Sequence, residues 1–232
     1  MLENTQLHRR KLLGGLIFGS TALVLPGCTS LGGGFSFTEA IRRLLFLSST
    51  NAFARLTAPG GYWEQNVGQL GLDSFLGNRG GVLASILTSA LFRNRLEDAF
   101  ADIALDASDR AAPVVADAVR VIGIENALAL VRGGPTAASQ FLRGSMGTSL
   151  IEAMVPEVGQ AMRIAQEPLV GQLLSSLAGV DVGSVATTFA DTVDDVIWGE
   201  IGREEAAIRA NPGSYNDPLI MGVFGPNAQL PY

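Results

Sequence analysis

One histidine, one cysteine and one lysine are all that this chain of 232 residues carries: His8, Cys28 and Lys11. Each scarcity removes a class of chemistry. A Ser-His-Asp or Cys-His arrangement needs an imidazole base, and His8 stands in a segment that reads as a leader. A His/Cys metal site has no ligands to draw on. A Schiff base and a Walker loop both need lysine, and Lys11 belongs to the same leader. A lone cysteine forms no internal disulfide. What remains for catalysis is carboxylates, arginines, hydroxyls and three tyrosines, so no cofactor and no metal is expected. Aromatics are also sparse, at 7%. Ala, Leu, Val and Gly supply most of the apolar content, which suits closely packed helices better than an aromatic-rich sandwich.

The leader itself is well marked. His8-Arg9-Arg10-Lys11 is a basic stretch, and Leu12 to Leu25 is an apolar run. At fourteen residues the run falls short of the roughly 20 a membrane-spanning helix needs, but it suits a signal h-region. It closes on Leu25-Pro26-Gly27-Cys28, which resembles the bacterial lipobox, where the cysteine is acylated with fatty acids such as palmitate and becomes the mature N-terminus. Arg9-Arg10-Lys11-Leu12-Leu13 resembles the twin-arginine export motif, against the plainer reading of an ordinary basic leader. The expected division is a signal peptide over 1–27, a lipidated tether over 28–37, a helical domain over 38–225 and a tail over 226–232.

Without its leader the chain has 13 arginines, no lysine and 21 carboxylates, a formal charge of −8. An acidic protein without a basic stripe is a poor match for nucleic acid or for anionic lipid. Membrane contact is expected through the anchor on Cys28, and several acyl chains hold where one is marginal.

Helical spacing dominates the remainder. Ser36 and Glu39 have capping-box spacing ahead of a helix over about 38–56. Residues 57–81 are glycine-rich and read as irregular, with at most one short helix. Leu96, Phe100, Ile103 and Ala107 form an apolar stripe, with Glu97, Asp98, Asp102, Asp106 and Asp109 opposite. Pro113 suits the first turn of a new helix ending near Gly123. Helices follow over 125–132 and 135–146. Pro156 should kink or divide the next, over 149–165, and Glu167-Pro168 opens another that stops at Gly179. The last long helix carries Val185, Phe189, Val193, Val196, Ile197, Ile201 and Ile208 on one side and ends at Asn211-Pro212-Gly213. The expected fold is all-α, a single compact domain of about seven to nine helices.

Two features raise the question of chemistry. Asp191, Asp194, Asp195, Glu200, Glu204 and Glu205 crowd the last long helix. Pairs at i, i+4 share a face and could raise one pKa or hold a hard cation such as Ca²⁺. The favoured reading is a solvated face opposite the apolar stripe, with Glu205 and Arg209 as an i, i+4 pair. The second feature, Arg132-Gly133-Gly134-Pro135, follows a helix and not a strand, so it reads as a helix stop and start and not as a phosphate loop. Pro135 would occupy the first position of the new helix.

Three blocks, IENALALVRGGPTAASQFLRGSM (124–146), VDDVIWGEIGREEAAIRANP (193–212) and DPLIMGVFG (217–225), resemble in order and spacing the bacterial lipoprotein family catalogued as domain of unknown function 4197. Gly133, Gly134, Ala137, Ala138, Phe141 and Arg143 match its first block; Glu204, Glu205, Ile208, Arg209, Asn211 and Pro212 match its second. The chain departs from the pattern at Pro135-Thr136, at Ser139 and at Phe141, where tyrosine is common. The resemblance implies a helical envelope lipoprotein and assigns no reaction. Because both blocks are family hallmarks, Arg209 is expected against the Gly133-Gly134 turn.

The expected function is a lipid-anchored, non-enzymatic protein on the periplasmic face of the outer membrane, acting through an envelope protein partner. Thr29 after Cys28 resembles the default sorting signal to that membrane. One alternative is a binding module for a small apolar or lipid ligand. Another is a histidine-free enzyme using Glu204 or Asp195 with Arg209.

Overall fold

Ser36 caps the first described helix by accepting a hydrogen bond from the Glu39 N–H, the first half of the capping box. Glu39 turns to Arg42 instead of completing it. The computed structural model describes residues 36–70, 90–164, 182–228 and 230, all within the unit Phe35–Tyr232. Cys28, the tether and the expected helix after Pro168 lie outside the described residues.

Eight α-helices and no strand occur among the described residues: α1 (Phe37–Leu56), α2 (Tyr62–Asn66), α3 (Ala90–Val121), α4 (Ala127–Arg132), α5 (Ala137–Met146), α6 (Ser149–Ile164), α7 (Val182–Ala210) and α8 (Pro218–Phe224). The fold is all-α. Short 3₁₀ turns follow α2 (Val67–Leu70) and α7 (Pro212–Tyr215).

The core forms where the apolar stripes meet. On α1, Ile41, Leu44, Leu45, Ala52 and Leu56 are fully buried at helical spacing. On α7, Phe189, Val193, Ile197, Ile201 and Ile208 are too. These two helices pack along each other; α6 joins α7 to α3, and α3 closes against α1. Phe100 of α3 meets Phe189 of α7 with ring centroids 5.0 Å apart, a tilted aromatic pair. Trp63 seats α2 on α3 by donating its indole N–H to the buried Ser108 hydroxyl at 3.0 Å. Along α3, Asp98, Asp102, Asp106 and Asp109 are exposed, while Phe100, Ile103 and Ala107 are buried, as the spacing requires.

Both internal prolines are carried inside continuous helices. Pro113 does not start a new helix; α3 runs through it for 32 residues. The buried positions Ala104, Ala107, Ala111, Val115 and Val119 stay in phase across it, so packing holds both halves to one axis. The carbonyl deprived of its partner is that of Asp109, four residues earlier, and Asp109 and Pro113 are both exposed, so water can serve it. Pro156 likewise lies within α6 without dividing it. At the other boundary α5 begins at Ala137, so Pro135 sits in the turn before the helix and not at its first position.

Candidate functional site

The carboxylates of α7 do not form a solvated face. Asp194, Glu200, Glu204 and Glu205 are buried, whereas Asp191 and Asp195 are exposed. A buried carboxylate needs partners, and the surrounding helices provide them. Asp194 accepts the Trp198 indole N–H at 3.0 Å and an Arg143 N–H at 2.8 Å. Burial pushes its carboxyl up, against the pull of Arg143 and Trp198 in the other direction. Arg143, on α5, also pairs with Asp195. One turn further along, Arg203 donates to Glu200 at 2.9 Å and to Glu204 at 2.5 Å. Arg55 of α1 reaches Glu200 at 3.3 Å, and the Asn51 amide reaches Glu204 at 3.5 Å.

Glu205 and Arg209 make the tightest assembly. Thr136 caps the start of α5 without a side-chain hydrogen bond; the Ala137 N–H donates to the Gly134 carbonyl, which leaves those of Ala138 and Ser139 without a local acceptor. Glu205, wholly buried, takes their place from another helix: it accepts from Ala138 N at 3.0 Å and Ser139 N at 2.7 Å. A carboxylate at a helix N-terminus is also favoured by the helix dipole. Arg209 then serves the opposite end of the neighbouring helix, donating to the carbonyls of Leu130 and Val131 at 2.9 and 3.0 Å. Its Nε donates to Glu205 at 2.8 Å, and its guanidinium lies 4.8 Å from the Phe224 ring centroid. One ion pair therefore closes the C-terminus of α4 and the N-terminus of α5 together. Arg209 packs against the corner that Gly133 and Gly134 turn.

Gly133 is there for want of room: a Cβ on it would stand 2.5 Å from the Ala137 Cβ and 3.2 Å from the Ala129 carbonyl oxygen. Pro212 is buried at the start of the 3₁₀ turn that leads the chain from α7 towards α8. Asp217 caps α8 through Leu219 N and Ile220 N and pairs with Arg43 of α1 at 2.6 Å. Burial works to raise the Asp217 carboxyl, but the bonds from Arg43 and the two backbone N–H groups hold it below the usual carboxylate range.

Two hollows border this assembly. A groove of about 380 Å³ between α5 and α7 is lined by Gln140, Arg143, Asp195, Trp198, Gly199 and Arg203, among others. A second hollow, of about 430 Å³, lies between α4 and α5 and is lined by Ala129, Leu130, Phe141 and Ser145 with Glu125 and Asn126 at its edge. Phe141 is half-buried there.

The family model described as "Protein of unknown function (DUF4197)" matches residues 34–225. The chain belongs to the DUF4197 family. No curated protein and no solved structure matches it. The three sequence blocks through which the chain resembles DUF4197 converge on one joint. The first supplies the carbonyls and N–H groups, the second Glu205 and Arg209, the third Phe224.

The carboxylate and arginine candidates for catalysis are not brought together. Arg209 is committed to Glu205, Glu204 to Arg203 and Asn51, and Asp195 to Arg143. Asp195 and Arg209 lie fourteen residues apart on α7, roughly 21 Å of helix. Trp198 carries no mark in the sequence as the partner of Asp194 beyond its i, i+4 spacing from that acid.

Proposed function

We propose that this chain is a lipid-anchored cell-envelope protein, held to the outer membrane through Cys28 and facing the periplasm, that acts through a protein partner and performs no chemistry of its own. The observation that carries the non-enzymatic part is the commitment of Glu204 and Arg209 to separate structural partners. The anchoring part is supported by Leu25-Pro26-Gly27-Cys28 and by the glycine-rich composition of the Thr29-to-Gly34 stretch that follows it. The family match begins at the end of that stretch. No helix among the described residues is long and apolar enough to cross a membrane.

Detergent phase partitioning of the full chain, made in a bacterial host with and without Cys28→Ala, tests the anchor. The wild type should enter the detergent phase and the variant should remain aqueous in the periplasmic fraction. Unchanged partitioning overturns the anchor. Cross-linking of intact envelopes tests the partner: one discrete adduct is expected, and its absence overturns that part. A second reading, a binding module for a small apolar or lipid ligand, has the Phe141 hollow in its favour. Saturable uptake of a fluorescent fatty acid by the full chain, lost in Phe141→Asp, would favour it.

A further inference from the structure

The geometry points to a binding site for a neutral saccharide in the groove between α5 and α7. This goes beyond the anchored, partner-binding reading and does not depend on it. Two arginines stand on the groove, and both are held from behind by buried acids. Arg143 is fixed by Asp194, which is 3% exposed, and Arg203 by Glu200 and Glu204, at 8% and 9%. The arginine side chains themselves remain 43% and 44% exposed. Each guanidinium already faces two carboxylates, counting Asp195 for Arg143. The groove therefore offers directed N–H donors without a net positive field, and an anion gains little by entering. A guanidinium has five N–H donors, more than two acids take.

Acceptors stand beside these donors. The Asp195 side chain is 71% exposed, and the Gln140 amide, which donates to Thr136 Oγ1 at 2.9 Å, is exposed as well. A ligand matched to such a mixture carries groups that both donate and accept. Hydroxyl groups do this; a phosphate only accepts and an ammonium only donates.

The floor is flat at the right place. Gly199 lies in the interior of α7 and is exposed, and a Cβ on it would meet nothing within 4 Å. Glycine inside a helix is destabilising relative to alanine. Gly202 is different, since its Cβ would press on Thr136 Cγ2 at 3.2 Å. Among the described residues no packing accounts for Gly199. It leaves the groove floor open beside Trp198, whose indole N–H is held by Asp194. A ring can then lie close to the helix backbone, over a side of α7 that carries no projecting side chain at that position. The groove's volume of about 380 Å³ lies in the range of small-ligand sites, roughly 300–1,000 Å³.

The test is calorimetric titration of the full chain, in a polyoxyethylene detergent that carries no sugar, with N,N′-diacetylchitobiose and with cellobiose. Saturable binding of at least one disaccharide is expected. Gly199→Leu should melt at or above the wild-type temperature, because it places a strong helix former in open space, and should weaken binding by about tenfold or more. Gln140→Ala, which removes a side-chain amide whose contact is with the adjacent Thr136 hydroxyl, should weaken binding without lowering the melting temperature and serves if the leucine variant does not fold. Three results overturn the proposal: no saturable binding of either sugar; full binding by both variants; or tighter binding of inorganic phosphate or of neutral tetra-alanine than of the sugars.

Discussion

Gly133 and Gly134 stand side by side, yet only the first has a neighbour where a side chain would go. Gly133→Ala should destabilise the fold by about 1–3 kcal/mol through overpacking at Ala137. Ala137→Gly in the same chain should recover part of the loss. Gly134→Ala should stay within about 0.5 kcal/mol of wild type. Urea denaturation of the three variants checks this ordering. Glu205 is the other decisive residue. Glu205→Ala leaves two helix N–H groups and a largely buried guanidinium without their acceptor. A loss of about 3–5 kcal/mol is expected. Arg209→Ala should cost a similar amount, and the double variant less than the sum of the two, by about 1 kcal/mol or more. Additivity in that cycle would show that the two residues do not act as one unit.

At the scale of elements, α8 is tied to α1 by a group whose charge matters. Asp217 caps α8 and pairs with Arg43, and its pKa is lowered by folding. Its carboxylate therefore contributes stability that is fully present above the unfolded value of about 3.9 and is lost as pH falls through the lower folded value. Asp217→Asn keeps the cap but not the ion pair. The stability gap between wild type and this variant should be widest near neutrality and close as the pH falls below about 4. Asp194 has the opposite sign. Burial raises its pKa, so the folded state binds its proton more readily, and its contribution grows on acidification. In Asp194→Asn the gap should widen as the pH falls towards about 4, above the window in which that of Asp217→Asn closes. Chemical denaturation across pH distinguishes the two. A gap that moves with pH in the same direction for both would refute the assignment.

Over the whole molecule, the proposed anchor on Cys28 is expected to be separable from the fold. Cys28 precedes the stretch that the family model matches, residues 34–225, and the core is built from α1, α3, α6 and α7. Cys28→Ala should therefore change where the protein partitions and leave its melting temperature unchanged. A lowered melting temperature would mean that the lipidated end contributes to the fold. The all-α class and the register of the α3 and α7 stripes were legible in the sequence, because each depends on residues three and four apart. The Gly133-Gly134 corner was legible as a helix stop and start for the same reason. Pro113 misled because a proline's local preference says nothing of the packing that carries a helix past it.

What the sequence determined by itself was therefore local: helical periodicity, the glycine corner, the lipobox-like cysteine and the scarcity of histidine, lysine and cysteine, one of each. Only the tertiary structure decided what the acids of α7 are for. On a helix wheel, Asp194, Glu200, Glu204 and Glu205 occupy polar positions and read as solvated. Whether such a position meets water or a partner depends on the element folded over it, and that element is distant in sequence. Glu205 meets N–H groups more than sixty residues away. A carboxylate lined up with the unserved end of a helix is worth burying; the same carboxylate facing solvent is not. No spacing along one helix records that difference.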